Sequence, residues 1–274
     1  MNTPIPKVLS IAGSDPSGGA GIQADLKTMG ALGAYGMSVV TALTAQSTRG
    51  VTGVHPAPVD FVRLQLDTLL ADIRPDATKI GMLATAELAE AVGEYLPRLA
   101  NTVLDPVMVA TSGDRLLDAA AIDAVGRLST RADLITPNLG EAAALLDRAP
   151  ATDTGEMRRQ AELLLDAGAR RVLLKGGHLV GQATDVYADA DGTVLLPGRR
   201  VNTDNTHGTG CTLSSAIAAL RPQRKSWLAA AQDAKAYLAG ALAHADALAV
   251  GHGHGPVHHY HALWPSRPEG VDQA

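Results

Sequence analysis

The chain is poor in aromatic side chains and almost free of sulfur chemistry. Of its 274 residues only 3% are Phe, Trp or Tyr, with a single Phe, and one residue, Cys211, is cysteine. A core without aromatics must be filled by Ala, Val, Leu and Ile, and hydrophobic residues make up 46% of the chain. One thiol excludes an intramolecular disulfide and points to a reducing, cytoplasmic home. No block of five or more like charges occurs, and the net charge is −5. Neither nucleic acid nor a membrane surface is therefore an expected partner. No apolar run reaches the roughly 18 residues that a membrane-spanning helix needs. The opening MNTPIPKVLSIAGSD has no basic segment followed by a long apolar one, so it does not read as a signal peptide. GxxxxGK[ST] is absent, which excludes a P-loop nucleotide site.

What is present is alternation. Short β-branched runs at 8–13, 37–45, 77–83, 102–109, 132–138 and 170–177 read as strands. Helical patterns at 20–33, 59–73, 85–96, 118–129, 140–147 and 155–168 lie between and after them. In the first of these, Ile22, Leu26, Met29 and Leu32 form an apolar stripe. The β, α, β, α order predicts an α/β fold: a mostly parallel sheet with helices on both faces. Residues 185–189 and 193–198 flank ADADG and predict a hairpin with an Asp-Gly turn, adding antiparallel edge strands. A long helix over 226–248 follows. No repeat or domain break is visible, so residues 1–265 are expected to form one domain with a polar tail at 266–274.

Several stretches carry chemistry. In THGTGCTLSS (206–215), Gly208 and Gly210 flank Thr209, and Cys211 comes next, just before an apolar small-residue run. A glycine loop opening a helix suits an anion, because the first N–H groups of a helix lack partners and its dipole is positive there. A thiol at that point is expected to have a lowered pKa; the alternative is a small buried Cys near a helix cap. GAGIQA (19–24) fits a dinucleotide fingerprint, but TALTAQ further on ends in Gln46 and supplies no carboxylate for a ribose. Asp25 lies in the early turns of that helix. Asp105 interrupts an apolar run and must be paired or bound to a cation if buried. Asn138 and Glu141 form an Asn-x-x-Glu that reads equally as a capping box or as oxygen ligands of a hydrated Mg2+. Lys175 ends a strand before Gly176 and Gly177, as phosphate recognition or as a snorkelling side chain. GHGHGPVHHYH (251–261) carries five of the nine His. Its spacing suits a loop packed near the amino edge better than a metal site. TSGDR (111–115) is glycine-bearing and a candidate mobile loop.

Eight stretches in order identify a family: GSDPSGGAGIQADLKT, TALTAQST, KIGML, LDPVMVATSGDRLL, LITPNLGEAAALL, LLKGGHL, THGTGCTLSSAIAAL and VGHGHGPVHH. Together, over residues 7–264, they resemble the hydroxymethylpyrimidine/phosphomethylpyrimidine kinases of thiamine biosynthesis, in the ribokinase-like superfamily. The resemblance implies a three-layer α/β/α sandwich. It also implies ATP- and Mg2+-dependent phosphorylation of 4-amino-5-hydroxymethyl-2-methylpyrimidine and then of its monophosphate. On that resemblance Gly13, Asp25, Gln46, Met82 and Val109 contact the pyrimidine. Asp105 and Glu141 belong to the metal region. Asn138, Lys175 and Thr206 face nucleotide or phosphate. Gly208, Thr209 and Gly210 form the anion hole, with Cys211 where other ribokinase-like enzymes place an Asp base. A homodimer is the family's usual state. Two departures stand out: Asn202-Thr203-Asp204-Asn205 replaces the usual Asp-Thr upstream of the anion hole, and Gly140 replaces a more usual Pro. The rival readings are a pyridoxal kinase using the same fold and thiol, and a catalytically silent pyrimidine sensor.

Overall fold

The structure, a computed structural model, describes residues 4–108, 119–177, 179 and 181–264. The expected readings at Val109, at 111–115 and at the tail 266–274 lie outside the described residues. Nine strands form one sheet among those described: β1 (Lys7–Ser14), β2 (Tyr35–Ser47), β3 (Gly50–Pro56), β4 (Ala77–Ile80), β5 (Thr102–Leu104), β6 (Leu134–Ile135), β7 (Val172–Leu174), β8 (Asp185–Asp189) and β9 (Gly192–Leu196). Their order is β3-β2-β1-β4-β5-β6-β7-β8-β9. The six strands from β2 to β7 pair in parallel, and β3, β8 and β9 pair antiparallel.

The helices are α1 (Gly21–Ala31), α2 (Val59–Asp72), α3 (Ala86–Tyr95), α4 (Ala119–Ser129), α5 (Leu139–Leu146), α6 (Thr154–Asp166), α7 (Thr209–Leu220) and α8 (Trp227–Ala243). Strand alternation sorts them into two layers. Leu9 and Ile11 of β1 face one cluster, shared with Val62 of α2, Leu88 of α3, Val125 of α4, Ala142 of α5 and Met157 of α6. Val8 faces the other, shared with Met29 of α1, Ile217 of α7 and Ala231 of α8. The second layer shows how a core poor in aromatics is packed. Every residue of α7 from 212 to 220 is buried, as expected of a helix apolar all round. Ala216, Ala219, Ala230, Ala231 and Ala234 are fully buried at 0% exposure, so α7 and α8 meet through methyl groups. No helix among the described residues is long and apolar enough to cross a membrane.

Three local expectations change. The buried face of α1 is Ala24, Asp25, Thr28 and Met29; of the expected stripe only Met29 is fully buried, while Ile22, Leu26 and Leu32 are half-buried, Leu32 packing against the core. An ion pair sets that face: Lys79 on β4 lies 2.9 and 2.8 Å from the Asp25 carboxylate oxygens, and both residues are 0% exposed. The edge strand β3 was not expected, because GVTGVHP carries two glycines and a proline; an edge strand tolerates both. The His-rich loop packs at the carboxyl edge of the sheet, not the amino edge. Gly253 donates to Thr48 Oγ1 at the β2–β3 turn (3.1 Å), and the N–H of His207 donates to the Gly255 carbonyl (3.0 Å). In the 185–196 hairpin the turn residues are Ala190 and Asp191, and Gly192 begins β9 at φ +125°.

Removing Lys79 alone leaves the buried carboxylate uncompensated. Lys79→Met is expected to lose about 3–5 kcal/mol of unfolding free energy. Adding Asp25→Asn should restore most of it, because no buried charge then remains. Urea unfolding of both variants reads the difference; equal losses would show that the pair is not the source.

Candidate active site

The parallel strands all end on one edge, where ligands bind in open α/β sheets. A cavity of about 1300 Å³ opens there. The chain turns into it at the end of β1 (Gly13 to Asp15), after β4 (Met82), after β5 (Asp105), after β6 (Asn138) and after β7 (Lys175), and α7 begins in its wall. Gly13, Gln46, Met82, Asp105, Asn138, Glu141, Lys175, Thr206, Gly208, Thr209, Gly210 and Cys211 thus converge on one space. Asp25, expected among the substrate contacts, does not line it. Its carboxylate is sealed behind the wall by Lys79, Ser10 (2.6 Å) and Ser215 (2.6 Å). Lys79 reaches the cavity in its place.

The start of α7 is bare. Helices α3, α5, α6 and α8 each open on a side-chain cap from Thr85, Asn138, Asp153 or Ser226. At α7 the cap position is Gly208, at φ +80°, with no side chain to offer. The backbone N–H groups of Gly210 and Cys211 have no partner among the described residues. Such orphan donors form an anion site. Glycine is required at 208 twice over: its φ is left-handed, and a Cβ there would overlap the Gly19 carbonyl oxygen. A Cβ at Gly13 would come within 2.5 Å of the Met82 Cε, so the flexible Met82 side chain would have to shift into the cavity.

Beside this cradle sit three charges. Lys175 Nζ donates to Asp105 Oδ1 at 2.8 Å and lies 3.8 Å from Glu141 Oε2. Asp105 also accepts from Thr136 (3.2 Å) and from Ser214 of α7 (3.4 Å). Burial lowers the charge preference of Lys175, but Asp105 and Glu141 outweigh it and push the ammonium up to about 12. Burial raises Glu141 to about 7; Lys175 opposes this and Asp105 adds to it. Two buried carboxylates thus share one ammonium, a donor set short of one positive charge that a hydrated divalent cation fits. Asn138 and Glu141 form the full capping box, with Asn138 Oδ1 accepting from the Glu141 N–H (2.9 Å) and Glu141 Oε2 from the Asn138 N–H (2.7 Å). The Asn138 oxygen is therefore engaged in the cap.

Among the cavity residues that the sequence does not single out are Asp15, Thr44, Lys79 and His207. Asp15, 2% exposed, accepts from the Ser17 N–H (2.8 Å), the Ser17 hydroxyl (3.0 Å) and the Ala20 N–H (2.8 Å), and pairs with His207 Nε2 (2.7 Å). Burial alone would raise this carboxyl; the bonds from His207 and Ser17 outweigh it and hold it at about 2. Serine and glycine around Asp15 read only as turn chemistry, and the partner lies 192 positions away.

Cys211 corrects an expectation. Its place in the first turn of α7 predicts a lowered pKa, yet the thiol is pushed up to about 11. Burial is the main cause; Lys79 and the Gly21 N–H pull it down, while Asp25 and Asp105 push it further up. Desolvation wins over the helix terminus because the two carboxylates add to it. Alkylation of the free protein by iodoacetamide is therefore expected to climb about tenfold per pH unit through pH ~10, since only the thiolate reacts. A plateau at or below pH ~9 would show that the helix terminus prevails.

Comparison with known proteins agrees with this geometry. Residues 15–258 match the family model for phosphomethylpyrimidine kinase. The chain is 56% identical over 260 residues to a hydroxymethylpyrimidine/phosphomethylpyrimidine kinase of Salmonella typhimurium, covering 93% of this chain and 98% of that protein. It resembles a crystal structure of phosphomethylpyrimidine kinase from Clostridium difficile 630 (TM-score 0.75, 38% identity, 85% of this chain and 97% of that one). It also resembles pyridoxal kinase from Staphylococcus aureus in complex with AMP-PCP and pyridoxal (TM-score 0.86, 34% identity, 95% and 96%). The fold is common to both activities, while the higher sequence identity lies with the pyrimidine enzymes. The chain belongs to the phosphomethylpyrimidine kinase family.

Proposed function

We propose that the protein phosphorylates 4-amino-5-hydroxymethyl-2-methylpyrimidine with ATP, and then phosphorylates the monophosphate to the diphosphate, in thiamine biosynthesis. The observation that carries this reading is the bare start of α7, whose free N–H groups at Gly210 and Cys211 border the same cavity as Gln46 and Met82. Gln46 offers amide donors and an acceptor to an aminopyrimidine edge, and Met82 lies against the ring face. The hydroxymethyl oxygen sits beside Cys211, and the free N–H groups of Gly210 and Cys211, in the 208–211 stretch, receive the transferred phosphoryl group. Lys175 neutralises phosphate charge. The cavity continues past β7 to Leu196, Gly198 and the Ala236 side of α8, a space for the nucleotide base with apolar side chains beside Lys235 and Arg200.

Asp105 and Glu141 are the side chains that would hold Mg2+, mostly through water. Bound there, the ion supplies charge neutralisation between phosphate oxygens. Cys211 rests as a thiol at neutral pH, so it orients the attacking hydroxyl rather than ionising it beforehand. Phosphoryl transfer has a loose transition state in which positioning and charge stabilisation outweigh base strength. Asp105, Glu141 and Lys175 are all in place, which favours an enzyme over a silent sensor. Residues 1–265 act as one kinase domain, in the cytoplasm, without nucleic-acid or membrane partners. Exposed Leu43, Val54, Phe61 and Leu64 near the β3 edge support a homodimer.

Phosphorus NMR with the pyrimidine alcohol, its monophosphate and pyridoxal tests the substrate. Transfer to both pyrimidines is expected, and transfer to neither refutes the reading. The pyridoxal kinase likeness gives pyridoxal its place in the panel; a mass adduct at Cys211 with pyridoxal but no pyrimidine turnover would favour that activity. Gly208→Ala should lower kcat by roughly 10²–10³, the scale for disturbing an anion-hole donor. Cys211→Ala should lower it only about tenfold, below the usual range for a lost general base. The opposite ranking would make the thiol the main catalytic group.

A further inference from the structure

His207 and Asp15 have no part in holding phosphate or metal in the reading above, yet both border the cavity beside Gln46. We propose that they act as a positioning pair that fixes the orientation of the Gln46 amide, so that the site distinguishes an amino-substituted pyrimidine edge from an oxo-substituted one. The proposal rests on the reading that Gln46 faces the substrate ring.

Proton counting carries it. His207 Nε2 lies 2.7 Å from Asp15 Oδ2. An ionised carboxylate only accepts, so Nε2 must bear a hydrogen whether the ring is neutral or charged. The alternative places two lone pairs against each other at that distance. The same Nε2 lies 3.4 Å from the Gln46 Nε2 end of the amide, and the Oε1 end lies 3.1 Å from Thr44 Oγ1. With the nitrogen toward His207, two N–H donors meet. The single hydroxyl hydrogen of Thr44 must then serve both Gln46 and the Ser14 carbonyl, 2.9 Å away. The two ends of an amide are alike in shape, and their partners decide which is which. Turned by half a rotation, the amide oxygen faces the His207 N–H and the amide nitrogen donates to Thr44 Oγ1. Thr44 is then free to donate to Ser14. No donor then faces a donor: the one His207 Nε2 hydrogen points to Asp15 at 2.7 Å and is shared, more weakly, with the amide oxygen at 3.4 Å.

The imidazole is held in this arrangement by Asp15 and by the packing of Gly19 against its ring. Its backbone N–H is bound to the Gly255 carbonyl at 3.0 Å, and the Gly19 backbone lies so close to its ring that a Cβ there would overlap Cδ2. Asp15 is itself held by three further donors. The amide therefore presents a donor on its Thr44 side and an acceptor on its His207 side. An aminopyrimidine offers the complement: a ring nitrogen that accepts next to an exocyclic amine that donates. The oxo analogue reverses both, and to bind it the amide must turn its NH2 group onto the His207 N–H. Rejection by mismatched donors is the kind that discriminates strongly.

The test compares kcat/KM for the 4-amino pyrimidine alcohol and its 4-oxo counterpart. His207→Phe, which keeps a ring but no donor, is expected to reduce the amino-to-oxo ratio at least about tenfold. His207→Gln, which can again donate to Asp15, should recover part of it, a rescue that a merely structural role would not give. An unchanged ratio in His207→Phe overturns the proposal. A second measurement needs no variant that is active: long-range 15N spectra of the wild type, with the His207 signals assigned by their loss in His207→Phe or His207→Gln, should show Nε2 protonated. A ring protonated only at Nδ1 overturns it as well. Gln46→Ala separates the two levels. If it leaves KM for the aminopyrimidine unchanged, the placement of the ring is wrong. If it raises KM while His207→Phe keeps the ratio, only the positioning role fails.

Discussion

The Asp25 carboxylate is the constraint on which the site depends. It lies on α1, and it accepts from Ser10 of β1, from Lys79 of β4 and from Ser215 of α7. Four elements are thereby tied to one fully buried anion. An unpaired charge at that depth is prohibitive, so every departure from the native arrangement meets a steep penalty. Ser215 is one turn after Cys211, on the same side of the helix. The bond from Ser215 therefore fixes the rotation of α7, and with it the direction of the thiol and of the free N–H groups. The loop before α1 is drawn against the loop before α7 by the same contact, and Gly19 and Gly208 touch there without side chains.

Around this anchor the site divides its charges. On one side Lys175 stands between Asp105 and Glu141, with too little positive charge for two buried carboxylates. On another, the orphan donors of α7 await an anion. In the proposed reaction a nucleoside triphosphate with its metal would bring both missing partners together. The thiol between these groups is held neutral by burial and by Asp25 and Asp105. In the proposed reaction its contribution is placement of the hydroxyl, while the cradle carries the charge that develops.

Much of this was legible in the chain. The alternation of β-branched runs with helical patterns gave the parallel sheet, because strands covered on both faces need continuous apolar runs. THGTGC marked the start of α7, because two glycines before an apolar small-residue run leave no other way to open a helix against an anion. Other features were invisible for physical reasons. β3 is an edge strand, where glycine and proline cost little and no burial pattern forms. Strand β5 stops at Leu104, well before the end of its apolar run, because Pro106 brings no N–H to the ladder. The apolar stripe of α1 marked Met29 but not the rest of the buried face, because the side that packs against the sheet also carries Asp25 and Thr28.

The sequence by itself determined the fold class and the carboxyl-edge location of the site, since these follow from periodicity, glycine placement and local motifs, while Gly13, Gln46 and Met82 were reached only through the family resemblance. Only the tertiary structure decided which charges meet. Asp25 pairs with Lys79 across 54 positions, Lys175 with Asp105 across 70, and Asp15 with His207 across 192. No local pattern encodes such pairings. They arise where strands far apart in the chain end side by side, and they set what each ionisable group can do: a carboxylate sealed from substrate, a thiol held neutral at a helix start, and an imidazole locked beside the amide that faces the cavity.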